Sequence, residues 1–413
     1  MSDIVLTESV TLSTREAAAA ERFRWGPLAL CSACLFVEGY DAQFMGYVVP
    51  GIASDWHIAP GALGPALGAG LFGLMLGAFF VAPLADSFGR KRVLLWSVLT
   101  FGLLTIATVL VHSVPALAVM RFLTGLGLGG AMPNTIALTA EFSPASKRAS
   151  AVTINFVTFS VGAAVGGLIT AQLMPSHGWA SVFWVCGGMA VALVPLLIFA
   201  MPESYRPERG KMAIPIGDLF RDGRAQVTAL LWFLFFLNLM ELYFLTSWLP
   251  TTITSEGISV QWAVIATSLL QFGGAAGALT LGPLVDRFGP RLIVGGAFAS
   301  AAVGVVAIGL AGSSLGIILL ASTLCGVGTV GAQNCNNGVA AKFYPTQIRA
   351  TGVGWALAVG RIGSIVGPVV GGILLQSAIA NRTLFFVAAV PPLCAALAYI
   401  AMGRQPGLRG TRG

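Results

Sequence analysis

The sequence predicts an all-α integral membrane protein with about twelve transmembrane helices, arranged in two pseudo-symmetric halves of six. Two observations predict this fold, the composition and an internal repeat. Of the 413 residues, 56% are hydrophobic and only 9% are charged, whereas soluble domains carry about 25% charged residues. The mean hydropathy is +0.85. So much apolar surface requires lipid as the solvent of the folded chain.

The individual spans follow from the apolar runs, because a helix needs about 20 apolar residues to cross the hydrocarbon core. Counting such runs and the polar breaks between them gives about twelve spans. Their predicted starts lie near Gly26, Pro60, Val93, Ala116, Ala149, Ala180, Ala225, Trp262, Arg291, Leu315, Ala350 and Thr383.

The basic residues predict the orientation of these spans. All but three of the 23 lysines and arginines fall in alternate polar segments, and His57, His112 and His177 fall in the opposite set of loops. By the positive-inside rule the basic segments are cytoplasmic. We therefore expect a multi-pass protein of the bacterial inner membrane with both termini in the cytoplasm. The net charge of +7 reflects this topology, and we expect no nucleic-acid partner.

An internal repeat divides the chain. Pro83–Lys91 (PLADSFGRK) returns 200 residues later as Pro283–Arg291 (PLVDRFGPR), and Phe142–Arg148 returns after 201 residues as Phe343–Arg349. Parallel repeats of this kind suit the rocking of one half against the other around a site near the bilayer midplane. The predicted parts are a cytoplasmic N-terminal segment 1–25, a first bundle 26–201, a cytoplasmic linker 202–224, a second bundle 225–403 and a cytoplasmic tail 404–413.

The first copy of the repeat reads Asp-x-Phe-Gly-Arg-Lys-Arg from Asp86 to Arg92, and it resembles the loop between helices two and three of the major facilitator superfamily. A glycine permits a tight turn there, and the aspartate can accept hydrogen bonds from a helix N-terminus. The motif and its second copy indicate a cytoplasmic gate. Pro290 replaces Arg90 in the second copy, so we expect the second copy to hold the gate closed less strongly. The candidate gate residues are Asp86, Gly89, Arg90, Arg92, Glu141, Arg148, Asp286, Gly289, Arg291 and Arg349.

Further motifs are similar to those of the aromatic acid:proton symporter family over nearly the whole chain. They are Glu38–Asp41 (EGYD), Arg121–Gly127, Trp248–Pro250, Gln347–Gly354 and Gly360–Gly363. The glutamate at position 38 resembles the hydroxyphenylpropionate-transporter branch. The resemblance implies the major facilitator fold and a proton-coupled symporter that imports an aromatic carboxylate, such as a benzoate, hydroxybenzoate or hydroxyphenylpropionate. We expect a monomer in the lipid bilayer, driven by the proton gradient without a cofactor.

Five charged residues lie within the predicted spans. Each costs about 2.5–3.5 kcal/mol at the centre of a helix in lipid, so they must pair, become neutral or face a wet cavity. Glu38 and Asp41 are spaced i, i+3 on the first span and face one side, and the long side chain of Arg121 can reach the level of Asp41. Glu241 and Arg361 fall near the middle of the seventh and eleventh spans.

These charges suggest the transport chemistry. We hypothesise that Asp41 carries the proton and that Arg121 pairs with ionised Asp41, with protonation breaking the pair. Glu38 is expected to tune Asp41 through like-charge coupling. Glu241 is either a second titrating group or an acceptor for a substrate hydroxyl. Arg361 is expected to bind the substrate carboxylate, because a guanidinium matches the fork of a carboxylate.

Polar and aromatic residues in the spans are the other candidates for substrate binding. The amide cluster of the tenth span can supply donors to a cavity wall, although such amides also form interhelical hydrogen bonds in lipid. Aromatic side chains can stack on a substrate ring or simply pack against lipid and neighbouring helices. The candidates are Tyr40, Asn134, Asn155, Tyr243, Trp248, Gln271, Gln333, Asn334, Asn337 and Trp355.

Three other functions compete with this interpretation. A membrane enzyme is disfavoured, because the spans hold no His/Asp/Glu metal constellation and the chain no GxxxxGK[ST] motif, so we expect no metal site and no enzymatic activity. A channel fits less well, because repeated halves with buried ion pairs suit alternating access. A drug or other organic-anion/proton antiporter of the same superfamily stays open, although Gly162–Gly167 lacks the proline usual in such proteins.

Overall fold

The computed structural model describes residues 24–144, 147–203, 216–345, 348–377 and 379–402. The predicted tail 404–413 lies outside these residues, as do residues 1–23 of the predicted N-terminal segment 1–25 and residues 204–215 of the predicted linker 202–224. Within these ranges the chain is helical and contains no strand, which confirms the predicted all-α class.

Helices of membrane-spanning length follow one another along these ranges, and each begins within three residues of its predicted start. A short 3-10 turn, Ile216–Phe220, precedes the second half. The twelve long helices of the described chain are α1 (Trp25–Asp55), α2 (Pro60–Phe88), α3 (Arg90–Leu110), α4 (Val114–Glu141), α5 (Arg148–His177), α6 (Ala180–Ala200), α7 (Ala225–Ser255), α8 (Val260–Phe288), α9 (Pro290–Leu310), α10 (Leu315–Phe343), α11 (Arg349–Gln376) and α12 (Asn381–Ala401).

Eleven of these helices are long and apolar enough to cross a membrane by length and composition. The exception is α1, whose 31 residues include Glu38, Asp41 and Gln43 near the middle, so its mean hydropathy is lower. These three side chains are buried inside the protein, which is the usual position of polar groups in a span. The chain is therefore a multi-pass membrane protein.

The two halves repeat one packing scheme. In the first half α1 packs on α5, α2 on α4 and α3 on α6; in the second, α7 packs on α11, α8 on α10 and α9 on α12. Glycines allow the close approach, since a Cβ on Gly73 would meet the main chain of Phe122 and a Cβ on Gly363 that of Phe236. Small residues at helix crossings are the usual means of tight packing in lipid. This equal pairing confirms the pseudo-symmetric arrangement.

Equivalent turns join α2 to α3 and α8 to α9. Gly89 and Gly289 have φ of +91° and +83°, in the left-handed region that glycine adopts without a steric penalty. Both predicted tight turns are therefore present. We call the end of the molecule with these turns the basic end. The opposite end, which carries His57, His112 and His177, is called the histidine end.

The halves meet through α1 on α7, α2 on α11 and α5 on α8. The tightest of these contacts lie towards the histidine end. A Cβ on Gly46 of α1 would meet the main chain of Thr246 on α7, and a Cβ on Gly61 would lie 2.5 Å from the carbonyl oxygen of Gly372 on α11. The halves are thus closed against each other at the histidine end.

Candidate substrate and proton site

The centre of the first half holds a buried ion pair between Asp41 on α1 and Arg121 on α4. One guanidinium nitrogen of Arg121 lies 3.3 Å from Asp41 Oδ1. The other carboxylate oxygen accepts hydrogen bonds from Thr105 Oγ1 at 2.6 Å and from the Cys186 thiol at 3.7 Å. The structure therefore brings together the two residues that the sequence predicts to pair, and it adds two further donors.

Hydroxyls and aromatic rings enclose the rest of the Arg121 guanidinium. It donates to Thr108 Oγ1 at 3.3 Å and to Thr124 Oγ1 at 3.2 Å. It also packs against the rings of Phe44 and Phe183, with its central carbon 5.4 Å from each centroid. A desolvated cation–π contact is worth about 2 kcal/mol or more. These surroundings hold Arg121 as a cation whether or not Asp41 is ionised.

A cavity between the two halves exposes this ion pair. Asp41 and Arg121 line it from the first half, and Tyr243 and Ser247 of α7 line it from the second. Its volume is about 40 Å³, which is smaller than the about 150 Å³ that admits benzene in an engineered cavity. In this conformation the cavity has room for water, and a ring-bearing substrate requires the halves to move apart.

Arg361 on α11 lies beside this cavity at the boundary between the halves. Its guanidinium donates to the Tyr243 hydroxyl at 3.3 Å and contacts the Met132 sulfur of α4 at 3.9 Å. Among the residues described, no carboxylate forms an ion pair with it. The charge of Arg361 is therefore available to an anion that enters between the halves.

The two other predicted proton-coupling residues lie apart from the ion pair. Glu38 is one turn before Asp41 on α1 and is buried, and its Oε1 has no hydrogen-bond partner among the described residues. Glu241 on α7 is buried too, and both of its carboxylate oxygens lack partners within the same ranges. Neither side chain lines the central cavity.

Four of the predicted substrate-binding side chains use their polar groups to hold helices together. Trp248 Nε1 donates to a main-chain carbonyl of α11 at 2.9 Å, and Asn134 donates to the carbonyl of Ala82 on α2 at 3.4 Å and to one of its own helix at 2.8 Å. The Tyr40 hydroxyl bonds Thr170 of α5 at 3.1 Å. Asn155 bonds side chains of α1 and α4. None of the four lines the cavity in this conformation.

The amide cluster of α10 faces its own half. Gln333 accepts a hydrogen bond from Asn238 of α7. Asn334 donates to a main-chain carbonyl of α10 at 3.0 Å. Asn337 has a buried Oδ1 that no described residue satisfies. These three amides therefore do not line the central cavity. They lie on the part of α10 that is nearer to the basic end.

The last three substrate-binding candidates have different surroundings. Tyr243 lines the cavity. Gln271 is buried in α8 away from it. Trp355 is 41% exposed and stacks on Trp232, with ring centroids 6.1 Å apart. The structure thus brings only Tyr243 of these three to the Asp41–Arg121 pair.

Each half has an ion pair between gate residues at the basic end. In the first half Arg90 pairs with Glu141, and their side chains are 22% and 23% exposed. In the second half Lys342 lies 2.6 Å from Asp286, and the side chains are 71% and 68% exposed. Lys342 follows Glu141 by 201 residues, so the second half places the cation on the other helix. Pro290 stands at the position of Arg90, and the anion of the second pair is Asp286 of α8.

Other gate candidates lie at the same end. Arg349 donates from Nε to the carbonyl oxygen of Tyr344 at 3.3 Å, which fixes the start of α11. Four further candidates are exposed at the surface there: Asp86, Arg92, Arg148 and Arg291.

Sequence reasoning missed the uncharged residues that complete the ion-pair site. Thr105 and Cys186 bond Asp41, and Phe183 covers Arg121. Such residues are common in apolar helices and carry no distinctive pattern. One weak signal existed, because Thr105 and Thr108 are spaced i, i+3 and so share a face of α3.

The fold and the site define a membrane transporter built from two repeated halves. The chain belongs to the Major Facilitator Superfamily, whose family pattern matches residues 31–270 and 231–412. Its fold resembles that of a D-xylose–proton symporter, with a TM-score of 0.77 and 16% identity over 92% of this chain and 97% of that one. A bacterial homologue of the human lysosomal transporter Spinster gives 0.78 and 18% over 92% and 97%. The protein is therefore a transporter and not an enzyme.

Relatives with higher identity come from one group of transporters. A gallate transporter of Pseudomonas putida is 35% identical over 92% of each chain. A 4-hydroxybenzoate transporter of Acinetobacter baylyi is 35% identical over 91% of this chain and 90% of that one. A 3-(3-hydroxy-phenyl)propionate transporter of Escherichia coli is 37% identical over 95% and 98%. These relatives confirm the resemblance to the aromatic acid:proton symporter family.

Proposed function

We propose that the protein imports an aromatic carboxylate together with protons, as a symporter that works by alternating access. The observation that carries this proposal is the cavity between the halves, which joins the Asp41–Arg121 pair to Tyr243 and its neighbour Arg361. One wall offers a carboxylate that can bind a proton, and the other offers a cation for an organic anion. The relatives, which are named as transporters of aromatic acids, support the substrate class.

The proton binds to Asp41. Ionised Asp41 attracts Arg121, and protonation neutralises the carboxylate and removes that attraction. Arg121 keeps its bonds to Thr108 and Thr124. The loss of attraction therefore acts on α1, which carries Asp41. Because α1 also packs on α7 of the other half, loading the proton alters a contact that the halves must break and remake during transport.

The substrate carboxylate binds to Arg361. A guanidinium presents two parallel N–H donors to the two oxygens of a carboxylate, which makes the pair bidentate and directional. The Tyr243 hydroxyl, which accepts from Arg361 in this conformation, is then free to bond the substrate. The aromatic ring occupies the space between α2 and α7 that widens when the halves separate.

The positive-inside rule places the basic end in the cytoplasm, so the histidine end faces outward and is closed in this conformation. We propose that both termini are cytoplasmic and that the membrane is the bacterial inner membrane. The transporter acts as a monomer in the bilayer. Its energy source is the proton gradient, and it uses no cofactor.

Purified protein in liposomes tests this function. We expect 4-hydroxybenzoate or 3-(3-hydroxyphenyl)propionate to accumulate when the outside is made acidic, and an Asp41→Asn variant to lose this accumulation. Arg361→Lys should raise the apparent KM about 10-fold or more, because a point charge replaces a bidentate fork. Arg382→Lys is the matched control, since Arg382 lies at the histidine end over Phe386.

Three results would contradict the proposal. Full accumulation in Asp41→Asn would show that Asp41 is not the proton carrier. Accumulation only when the pH gradient is inverted would show an antiporter. Absence of uptake for every hydroxylated or plain aromatic carboxylate tested, in protein that still exchanges another anion, would remove the substrate class.

A further inference from the structure

The second half carries a carboxylate at the position equivalent to Asp41. Glu241 follows Asp41 by 200 residues on α7, the counterpart of α1, and this is the offset of the internal repeat. The counterpart of Arg121 is different. With the offset of 201 that relates α4 to α10, Ser322 stands where the first half has Arg121, and Cys325 stands where it has Thr124.

The surroundings of Glu241 contain no cation that could balance an ionised carboxylate. The side chain is 1% exposed, and neither carboxylate oxygen has a partner within the described ranges. Ser322 is 0% exposed, and its hydroxyl is also unpartnered there. Cys325 lies within electrostatic range on α10, and its thiol donates to a main-chain carbonyl of α9 at 3.6 Å. Neither of these α10 side chains is a cation.

Among the residues described, the charged side chains that α11 and α1 bring to the centre are bonded to other groups. Arg361 of α11 is bonded to Tyr243, and Asp41 of α1 is bonded to Arg121. The buried polar side chains of α8, which are Thr267, Ser268 and Gln271, are uncharged, and α12 contributes Tyr399, which donates to an amide of α10. An ionised carboxylate in such a place is too costly to persist, so Glu241 holds a proton in this conformation.

Polar side chains of α7 and α10 lie between Glu241 and the basic end. Asn238 lies one turn away on the same face of α7 and donates to Gln333 of α10. The Oδ1 of Asn238 is buried and has no partner among the described residues. From Gln333 towards the basic end, α10 continues with the half-buried Asn334 and Asn337. On α10 these polar side chains begin just after the π-helical segment Val327–Gly331. A π-helical segment is a rare irregularity that often occurs at functional sites.

We propose that Glu241 is a second proton-binding site, loaded from the basic end along Asn238 and Gln333. The carboxylate takes up one proton to become the neutral acid and releases it when the halves change conformation. Asp41 and Glu241 each carry a proton, so one substrate moves with two protons. This inference rests on the proposed symport function, and it concerns the number of protons and the half that binds the second.

The balance between substrate and proton gradients tests this inference. In liposomes with the membrane potential held at zero, a pH difference of one unit should balance an about 100-fold gradient of 4-hydroxybenzoate in the native protein and an about 10-fold gradient in Glu241→Gln. A substrate gradient near 10-fold at balance in the native protein overturns the second site. A gradient at balance that Glu241→Gln leaves unchanged overturns it as well. Both results leave the proposed function intact. A balance that does not respond to pH overturns the proposed function itself.

A second measurement does not depend on transport. The infrared spectrum of the purified native protein at neutral pH should contain the carbonyl band of a protonated carboxylic acid that Glu241→Gln lacks. If the two spectra agree in this region, Glu241 is ionised and the inference is wrong.

The route has its own test. Gln333→Leu should leave the native balance unchanged and slow the approach to it, because a path alters the rate and not the equilibrium. Gln172→Leu, an exposed amide on α5, is the matched control and should leave the rate unchanged. Equal rates in Gln333→Leu and the control would exclude this route.

Discussion

The two halves repeat one helix arrangement but surround their central acid in different ways. Asp41 of the first half has a cation, a hydroxyl and a thiol around it. Glu241, at the equivalent position of the second half, is bonded to no such group and is unpartnered in the described structure. The same depth in the membrane therefore accommodates an ion pair in one half and a neutral acid in the other.

The difference shows what a buried carboxylate needs in order to stay ionised. A single cation is not sufficient by itself, since the remaining lone pairs also require donors. In the first half Thr105 and Cys186 supply them, and Phe44 and Phe183 fix the cation. We infer that the first half is built to switch between charged and neutral forms, whereas the second half stores its acid in the neutral form.

The largest expected effect comes from the cation of the first half. Arg121→Lys keeps the charge but loses the fork that reaches Asp41, Thr108 and Thr124 together. Breaking a buried, hydrogen-bonded charge pair costs about 2–5 kcal/mol, so proton-driven uptake of 4-hydroxybenzoate should fall about 30-fold or more. The measurement is the initial uptake rate in liposomes under an imposed pH gradient.

Arg382→Lys is the control for this substitution as well, because Arg382 contacts only the exposed ring of Phe386 among the contacts described. It should keep the native uptake rate. If Arg121→Lys also transports at the native rate, the geometry of the guanidinium is irrelevant and the comparison between the halves loses its basis.

The fold was predictable from the sequence to a greater extent than the site. Spans depend on apolar runs and on basic loop ends, which are properties of the local sequence. The pairing of Asp41 with Arg121 followed from the cost of charge in lipid. The roles of Trp248 and Asn134 could not be predicted from the sequence. Their N–H groups donate to main-chain carbonyls, and no sequence pattern indicates such bonds. Only packing decides whether a polar side chain in a span faces a cavity or a neighbouring helix.

The second prediction compares the stability of two isosteric substitutions. Asp41→Asn leaves Arg121 buried without its carboxylate, and loss of one partner of a buried pair costs about 3–5 kcal/mol. Glu241→Gln replaces a neutral acid by a neutral amide and should cost only about 1 kcal/mol, the ordinary effect of a point substitution. Thermal unfolding of both variants in the same detergent measures the difference. Equal destabilisation of the two would mean that Glu241 has a charged partner after all.

The double variant Asp41→Asn/Arg121→Met refines this comparison. Removing both charges should recover part of the stability that Asp41→Asn loses, because no uncompensated charge stays buried. A double variant that is as unstable as the sum of its two single variants would show that the residues do not interact.

A smaller effect is expected at the gates. The Arg90–Glu141 pair is largely shielded from solvent, whereas Asp286 and Lys342 are mostly exposed. Exposed ion pairs contribute about 0–1 kcal/mol and are screened by salt. Glu141→Gln should therefore change the uptake rate more than Asp286→Asn does, and salt should suppress the effect of the second substitution more strongly. A larger effect for Asp286→Asn at every salt concentration would reverse the ranking.

The smallest effect is expected for Glu38, one turn from Asp41. Its counterpart in the second half, 200 residues later, is the amide Asn238, so a neutral group satisfies that position of the repeat. The Oε1 of Glu38 is buried and lacks a partner among the described residues, which also favours the protonated acid. Glu38→Gln should keep proton-driven accumulation within about two-fold of the native value, with the same dependence on pH. If the pH profile instead moves to lower pH, Glu38 is ionised and raises the proton affinity of Asp41 by like-charge repulsion, and the neutral-acid interpretation holds for Glu241 alone.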